Sequence, residues 1–577
     1  MGIDLPTGSD HGFGPRWDHG IDRLLLRIAA GPPTLGCAGY SDHDSLRRPV
    51  RDLYGEHAPF DLQADGARSR HDEQSIRSRH QRSARNLDLR ERRTPLFEMR
   101  PSMEPRSSAP FDSHSRLVRI SDIRQRTWGE AGHFLNHRQA QSHCGNFLVY
   151  DTRNKDPDIG KTRRIESLDL RDGKIQTIYD TGSESDFGPG VGAVVCHPLR
   201  RSVLFIHGVA PCTEQSPYSI TRRFGAMLEA DLSNSEPKWQ AFPMESRSTQ
   251  TPMAWGSLSG GTHAHSFSPD GRWVSFTYND CRVAGRVPAL DRRTVGFAIL
   301  DERKMNVLSF AERPFVELGE SFIGAAWSGV IVDPVEEPVP GSNMLDWARE
   351  ECWLPDPDQR RLVFIGRVRI PAATASGYEN IEELFEAEFP RDAEEWPNHL
   401  RGEIPLDAET GRMQPPPGIR IRRLTYSMDQ QFPGIRGPRH WPVANPRNRF
   451  VVVLMQDNLG IIRAVRISTA SGGSATKSSQ NDSGNIDSRN IAWITKNRES
   501  ITHPLAIDST GRYLSVVVGK RLFIHDLEAG VETEIPWDSQ RWDEIVGPVQ
   551  FLKGGRGLFW NARLDRKSTR LNSSHEW

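Results

Sequence analysis

The chain has 577 residues, with 74 lysines and arginines against 75 aspartates and glutamates. That balance supplies no field to recruit nucleic acid or an anionic membrane surface, and no run approaches the roughly 20 apolar residues of a spanning helix. Hydrophobic content of 36% is low for a globular chain, so the core is strand-rich with polar loops, part of the chain does not fold, or both.

Residues 1–112 differ in composition from the rest. The Leu24–Cys37 segment ends in Leu-Gly-Cys like a lipoprotein signal, but Arg27 and a Gly-Pro-Pro interrupt its apolar run and argue against export. The Arg-rich stretch 67–93 has almost nothing to bury and is expected to be disordered. It is read as an extension ahead of a true start at Met99 or Met103, with a basic tail for nucleic acid as the alternative.

From about 113 to 560 a repeat governs the chain. Its clearest copy is SFSPDGRWVSFTYND, Ser266–Asp280. A short strand meets a Pro-Asp-Gly turn, whose glycine supplies positive φ, and the second strand alternates with period two. Copies begin at Ser142, Cys196, Ala444, Ile507 and Phe551, and a degenerate one near Ala326-Trp327 continues at Arg360–Ile370 after an insertion over about 328–417. Helices are predicted in that insertion at Asn343–Trp353 and Tyr378–Phe389, the second placing Ile381, Leu384, Phe385 and Phe389 on one face. The Ser-rich stretch 470–485 reads as a flexible loop. Residues 561–577 are expected to be unstructured: RKSTRLNSSH resembles translated sequencing-adapter sequence, and the last blade is read as cut short there.

Seven copies predict an all-β fold, a seven-bladed β-propeller with a partly helical insertion, because stacking blades around an axis buries both faces of each sheet. SPDGRWVSFT resembles the repeat of TolB-like propellers, relatives of the WD-repeat type. HCGNFLVYDTR, GVGAVVCHPLRRSVLFIHG and GTHAHSFSPDGRWVSFTYND, in that order, resemble a bacterial propeller family classed as a domain of unknown function and labelled Tol biopolymer transporter-like. Oligogalacturonate lyase, a seven-bladed propeller family with a metal held by channel histidines, is a more distant likeness, and no motif carries its residues over.

Aligning the copies on the turn places histidines at one offset. Five residues before Ser268 lies His263, and the same offset reaches His137, His440 and His503. His265 follows His263 by two, on the same side of a regular strand. Inner strands line the channel, so His263, His265, His440 and His503, with His137 or Gln139 nearby, are expected to converge on a divalent metal, manganese or zinc. Arg138, Arg439 and Arg436, with Gln139, would hold a carboxylate-bearing substrate such as a uronate. The opposing expectation is that these histidines bond the blade backbone. Cys196-His197 is read as part of a turn rather than a Cys-His nucleophile, and Val332–Pro338 as a solvated loop rather than a calcium site.

Two functions follow: action on an acidic saccharide with a channel metal, or a non-enzymatic propeller binding a protein or cell-envelope polymer on the channel face, with Trp327, Trp441 and the helical insertion as contact surface. The partner is a protein or polysaccharide, with no nucleic acid and no membrane, and the chain is expected to be a monomer. Cys37, Cys144, Cys196, Cys212, Cys281 and Cys352 are scattered without CxxC spacing, which favours reduced thiols and the cytoplasm, with the periplasm as alternative.

Overall fold

The structure, a computed structural model, describes residues 124–572 apart from 129–130, 183–184, 232–236, 287–290, 309–314, 316–317, 373–376, 448, 470–490, 537–543, 556 and 565–567. The chain divides into two units, Met1–Ser107 and Ser108–Trp577; the described residues all belong to the second. The extension over 1–112 and the Ser-rich loop lie outside them.

The described chain is all-β, a succession of antiparallel meanders. The first sheet holds β1 (Phe147–Asp151), β2 (Arg164–Asp169) and β3 (Ile175–Asp180). The second holds β4 (Val191–Cys196), β5 (Ser202–Gly208), β6 (Arg223–Asp231) and β7 (Lys238–Pro243). A short parallel pair, β8 (Ser246–Arg247) and β9 (Ser257–Leu258), precedes the third sheet: β10 (Gly261–Phe267), β11 (Trp273–Asn279), β12 (Thr294–Leu300) and β13 (Ala326–Val330). The fourth comprises β14 (Trp347–Trp353), β15 (Arg361–Pro371), β16 (Tyr378–Glu388) and β17 (Arg420–Arg423). The fifth comprises β18 (Val443–Ala444), β19 (Phe450–Gln456), β20 (Ile462–Ser468) and β21 (Ile491–Trp493), and the sixth β22 (Ala506–Ile507), β23 (Tyr513–Val518), β24 (Arg521–Asp526) and β25 (Val531–Ile535). The last holds β26 (Glu544–Phe551), β27 (Leu558–Leu564) and β28 (Ser568–Asn572). Strand pairing therefore continues past 560, where an unstructured tail was expected.

Two expectations for the insertion are corrected. Asn343–Trp353 and Tyr378–Phe389 are not helices: they contain β14 and β16, and the segment builds a complete sheet. Ala326-Trp327, expected to open the fourth repeat, lies in β13 at the outer edge of the third sheet. The physical reason is burial on both faces. β16 pairs with β15 along its whole length, and Leu384, Phe385 and Ala387 are all buried, so its apolar residues lose the period-two pattern. The interleaved carboxylates are neutralised by neighbours: Glu383 accepts from Arg423 and Ser427, and Glu386 from Arg361 and Arg422.

A separate hydrophobic cluster fills each space between successive sheets. Trp273, Phe297 and Trp327 of the third meet Trp353, Phe364 and Phe385 of the fourth, and burial of each such side chain contributes about 1.5–3 kcal/mol. Phe559 of the last sheet packs with Leu135, Leu148 and Tyr150 of the first. Asn561 Oδ1 accepts from the Leu135 amide at 2.8 Å, and Gln550 Nε2 donates to Asn136 O at 2.7 Å. The repeat turns also interlock. His197 Nε2 bonds Gly271 O at 3.1 Å and accepts the Leu199 amide at Nδ1, the turn role expected of it. Asn445 Nδ2 reaches Gly511 O at 2.7 Å in the same way.

Candidate functional site

The inner strands share one irregularity. The β10–β11 ladder slips between His263 and Ser266, with Ala264 at φ 57°. β4 slips between Gly192 and Val195 with Ala193 at 53°, β14 between Arg349 and Cys352 with Glu350 at 50°, and β26 between Val546 and Gln550 with Gly547 at 71°. A non-glycine residue in this region costs roughly 1–2 kcal/mol, and a bulge re-aims the side chains around it. His263 and His265 consequently do not share a side. His265 is wholly buried, with Nε2 3.0 Å from Thr262 Oγ1, whose own hydroxyl donates to Glu245 Oε1 at 2.6 Å. Its ring lies against Gly225 of the second sheet, in the space between the second and third sheets.

His440 and His503 are not arranged as metal ligands. His440 Nδ1 donates to Pro438 O at 2.8 Å while Nε2 accepts the Leu454 amide at 3.0 Å. His503 Nε2 donates to Ile545 O at 2.8 Å and Nδ1 accepts from Thr502 Oγ1 at 2.8 Å. Each is a neutral ring with both nitrogens committed, so neither has a lone pair for a metal. β18 and β22 are only two residues long, so both histidines stand ahead of a strand and bond the backbone instead. Among the described residues, no three histidine, cysteine, aspartate or glutamate side chains are grouped to hold a metal ion, and His440 and His503 offer no lone pair to manganese or zinc.

Residues 137–139 of the first sheet's approach contact three other sheets. The His137 ring stacks on Trp441 of the fifth, centroids 3.4 Å apart and 13° from parallel. Arg138 Nη2 stands 3.5 Å from Glu351 Oε1 of the fourth. Gln139 Nε2 donates to Phe267 O at 2.8 Å, and its Oε1 accepts the Phe267 amide at 2.9 Å. Gln139 therefore ties the first sheet to the third and is not free to bind substrate or support a metal.

On the side where the inner strands begin, arginines gather around His263. Arg439 bonds Glu350 Oε1 at 2.7 Å and lies over Trp441. Arg349 pairs with the same Glu350 at 2.7 Å and with Glu382 at 2.8 Å. Arg223 is buried and bonds only the Tyr218 hydroxyl among the described residues, at 3.4 Å. Arg293 lies over Trp347, 5.9 Å from its centroid, and makes no salt bridge among the described residues. Burial pushes Arg293 down to about 10, and the charges of Arg439, Arg223 and Arg349 act the same way against Glu350. Burial, then Arg223, Arg293 and Arg439, hold His263 well below its ordinary value. Its Nδ1 is buried without a hydrogen bond among the described residues. The result is a neutral imidazole inside an excess of positive charge, suited to hydrogen-bond and neutralise an anion.

The sequence pointed to Arg439 and Arg138 but missed Arg223, Arg293, Arg349, Glu350 and Glu351. Reading 343–353 as a helix concealed an inner strand. The signal was Pro355-Asp356, which follows Trp353 as Pro269-Asp270 follows Phe267. Arg436 bonds Pro433 O and is exposed, away from this cluster. Trp327 is buried in the core and forms no contact surface. Asp333 bonds Arg412 at 2.7 Å and Gln414 at 2.8 Å. No described helix is long and apolar enough to cross a membrane.

Residues 190–313 match the family described as a protein of unknown function (DUF3748). The chain is 29% identical over 441 residues to the uncharacterized protein YidR of Escherichia coli K12, covering 76% of this chain and 94% of that one. Among solved structures, it is similar to oligogalacturonate lyase from Vibrio parahaemolyticus, at 9% identity and a TM-score of 0.41, covering 81% of this chain and 95% of that one. It is also similar to polysaccharide lyase Uly1, at 10% identity and 0.43, covering 80% and 100%. An oligogalacturonate lyase in complex with manganese stands at 9% and 0.41, covering 79% and 92%. At such scores the likeness reaches no residue of the channel.

Proposed function

We propose that the seven sheets close into a seven-bladed ring, and that the chain is a binding propeller whose basic channel end takes a carboxylate-bearing ligand, an acidic saccharide of the uronate kind. Support for closure comes from the Phe559 cluster and the Asn561 and Gln550 bonds between last and first sheets. The observation that carries the ligand is the pair Arg223 and Arg293, whose charges both act on His263 and neither of which makes a salt bridge among the described residues. Buried guanidinium without a counter-charge is unfavourable, and a carboxylate matches its fork geometry. Titration calorimetry with trigalacturonate against its methyl ester tests the proposal. The acid should bind and the ester bind at least about tenfold more weakly, with affinity falling as salt rises. Arg293→Gln should weaken binding by a similar factor. Equal affinity for acid and ester, or an Arg293→Gln variant that binds as before, would overturn it.

A second reading, docking of a protein partner, has one observation in its favour. β15 and β16 run 11 residues each and bring Tyr378, 50% exposed, to the end of the fourth sheet. Replacing Tyr378 with serine should then abolish partner capture without touching trigalacturonate binding.

A further inference from the structure

Beyond the His137–Trp441 stack, at the end of the channel where the repeat turns gather, lies a cavity of about 390 Å³. Its lining draws on every sheet except the second, from Gln141 and Pro269 round to Ser509 and Lys553. The walls are apolar, with Trp353, Trp441, Leu505, Phe551 and Phe559 prominent. Among the described residues no aspartate or glutamate lines it, and its charged residues are the two cations Arg138 and Lys553. Arg138 is poorly neutralised: Nε and Nη2 make no hydrogen bond, and Glu351 stands 3.5 Å off. Burial also raises the Glu351 carboxyl to about 7 against the opposing pull of Arg138, which weakens that pairing near neutrality. Lys553 is exposed at the rim with no carboxylate partner among the described residues. The cavity falls within the usual range for small-molecule sites, roughly 300–1,000 Å³, with apolar walls and few polar groups.

We propose that this chamber binds an amphipathic monocarboxylate, its hydrocarbon body against the aromatic wall and its carboxylate on the Arg138 guanidinium, with Lys553 attracting the anion at the rim. The site is distinct from the arginine-rich end: residues 137–139 line it, and it shares neither Arg223, Arg293, Arg439 nor His263. Apolar walls alone would accept a neutral amphiphile equally, and cations alone would accept a small anion. Together with the absence of any lining carboxylate they select a molecule that has both parts.

The probe is decanoate, with decan-1-ol and acetate as controls, followed by titration calorimetry on the full chain. Decanoate should bind saturably at one site, and the alcohol and acetate at least tenfold more weakly. Lys553→Gln should weaken decanoate several-fold. Ala506→Phe, which fills the chamber, should abolish binding while trigalacturonate binding at the other end is unchanged. Ser509→Trp, at an exposed lining position, gives the same block if the Phe variant is unstable. Equal affinity for decanoate and decan-1-ol, no saturable binding, or decanoate binding that survives a folded blocking variant would each overturn the proposal. None of these outcomes bears on the arginine-rich end.

Discussion

Replacing Gly271 with alanine tests whether the interlocked turns hold the sheets together. Gly271 has φ 71°, where alanine costs roughly 1–2 kcal/mol. A Cβ there would stand 2.3 Å from His197 Cε1 and 2.4 Å from Nε2, so the ring must leave its place. With it go the bond to Gly271 O and the acceptance of the Leu199 amide, both 3.1 Å, in a residue only 4% exposed. Leaving buried polar groups unsatisfied adds about 1–3 kcal/mol, for a total of about 2–5 kcal/mol. Gly173 is the control: its φ is 78° and a Cβ would meet nothing within 4 Å, so Gly173→Ala should cost only the backbone part, about 1–2 kcal/mol. In a His197→Ala background Gly271→Ala should fall to the same value, because the two residues act through one contact. Denaturant unfolding followed by both fluorescence and circular dichroism reads the loss and checks for a single transition. If Gly271→Ala costs no more than Gly173→Ala, or costs the same with and without His197, the turn contact is not what stabilises the sheet interface.

Burial raises the Glu245 carboxyl to about 7 from an ordinary 4.5, against its Thr262 and Gly225 donors. The unfolded chain loses that proton first, so the contribution of Glu245 is fully present below about 4.5 and lost as pH rises through about 7. The stability of the native chain relative to Glu245→Gln should therefore decline between about pH 4.5 and pH 7 and level off above it; a pH-independent difference in denaturation would refute this. His440→Leu should lower stability by about 1–3 kcal/mol by orphaning the Leu454 amide and Pro438 carbonyl, equally with and without added manganese or zinc. A metal-dependent rise in melting temperature present in the native chain and absent in the variant would return His440 to a ligand role.

Local chemistry made much of the fold legible. Ser268–Gly271 and its counterparts carry turn geometry within a few residues, and strands beside them are apolar enough to be read without knowing their partners. The role of His197 followed from its place in that turn. β14 and β16 were not legible, because a strand buried on both faces need not alternate, and Ile381, Leu384, Phe385 and Phe389 happen to repeat like a helix face. Which structure won depended on β15, and on Arg361, Arg422 and Arg423 arriving to neutralise Glu383 and Glu386. The channel was half visible. The offset from the turn named His263, and the carboxylate reading named Arg439, whose charge acts on that ring. The offset could not register the bulge at Ala264, which turns His265 away, or the two-residue strands that leave His440 and His503 on backbone atoms. Side-chain direction in an inner strand depends on one backbone torsion and on which carbonyl stands nearest. Sequence alone therefore determined the repeat and its turns, whereas the meeting of Arg223, Arg293 and Arg439 around His263, from two strands and two loops far apart in the chain, is a product of tertiary packing.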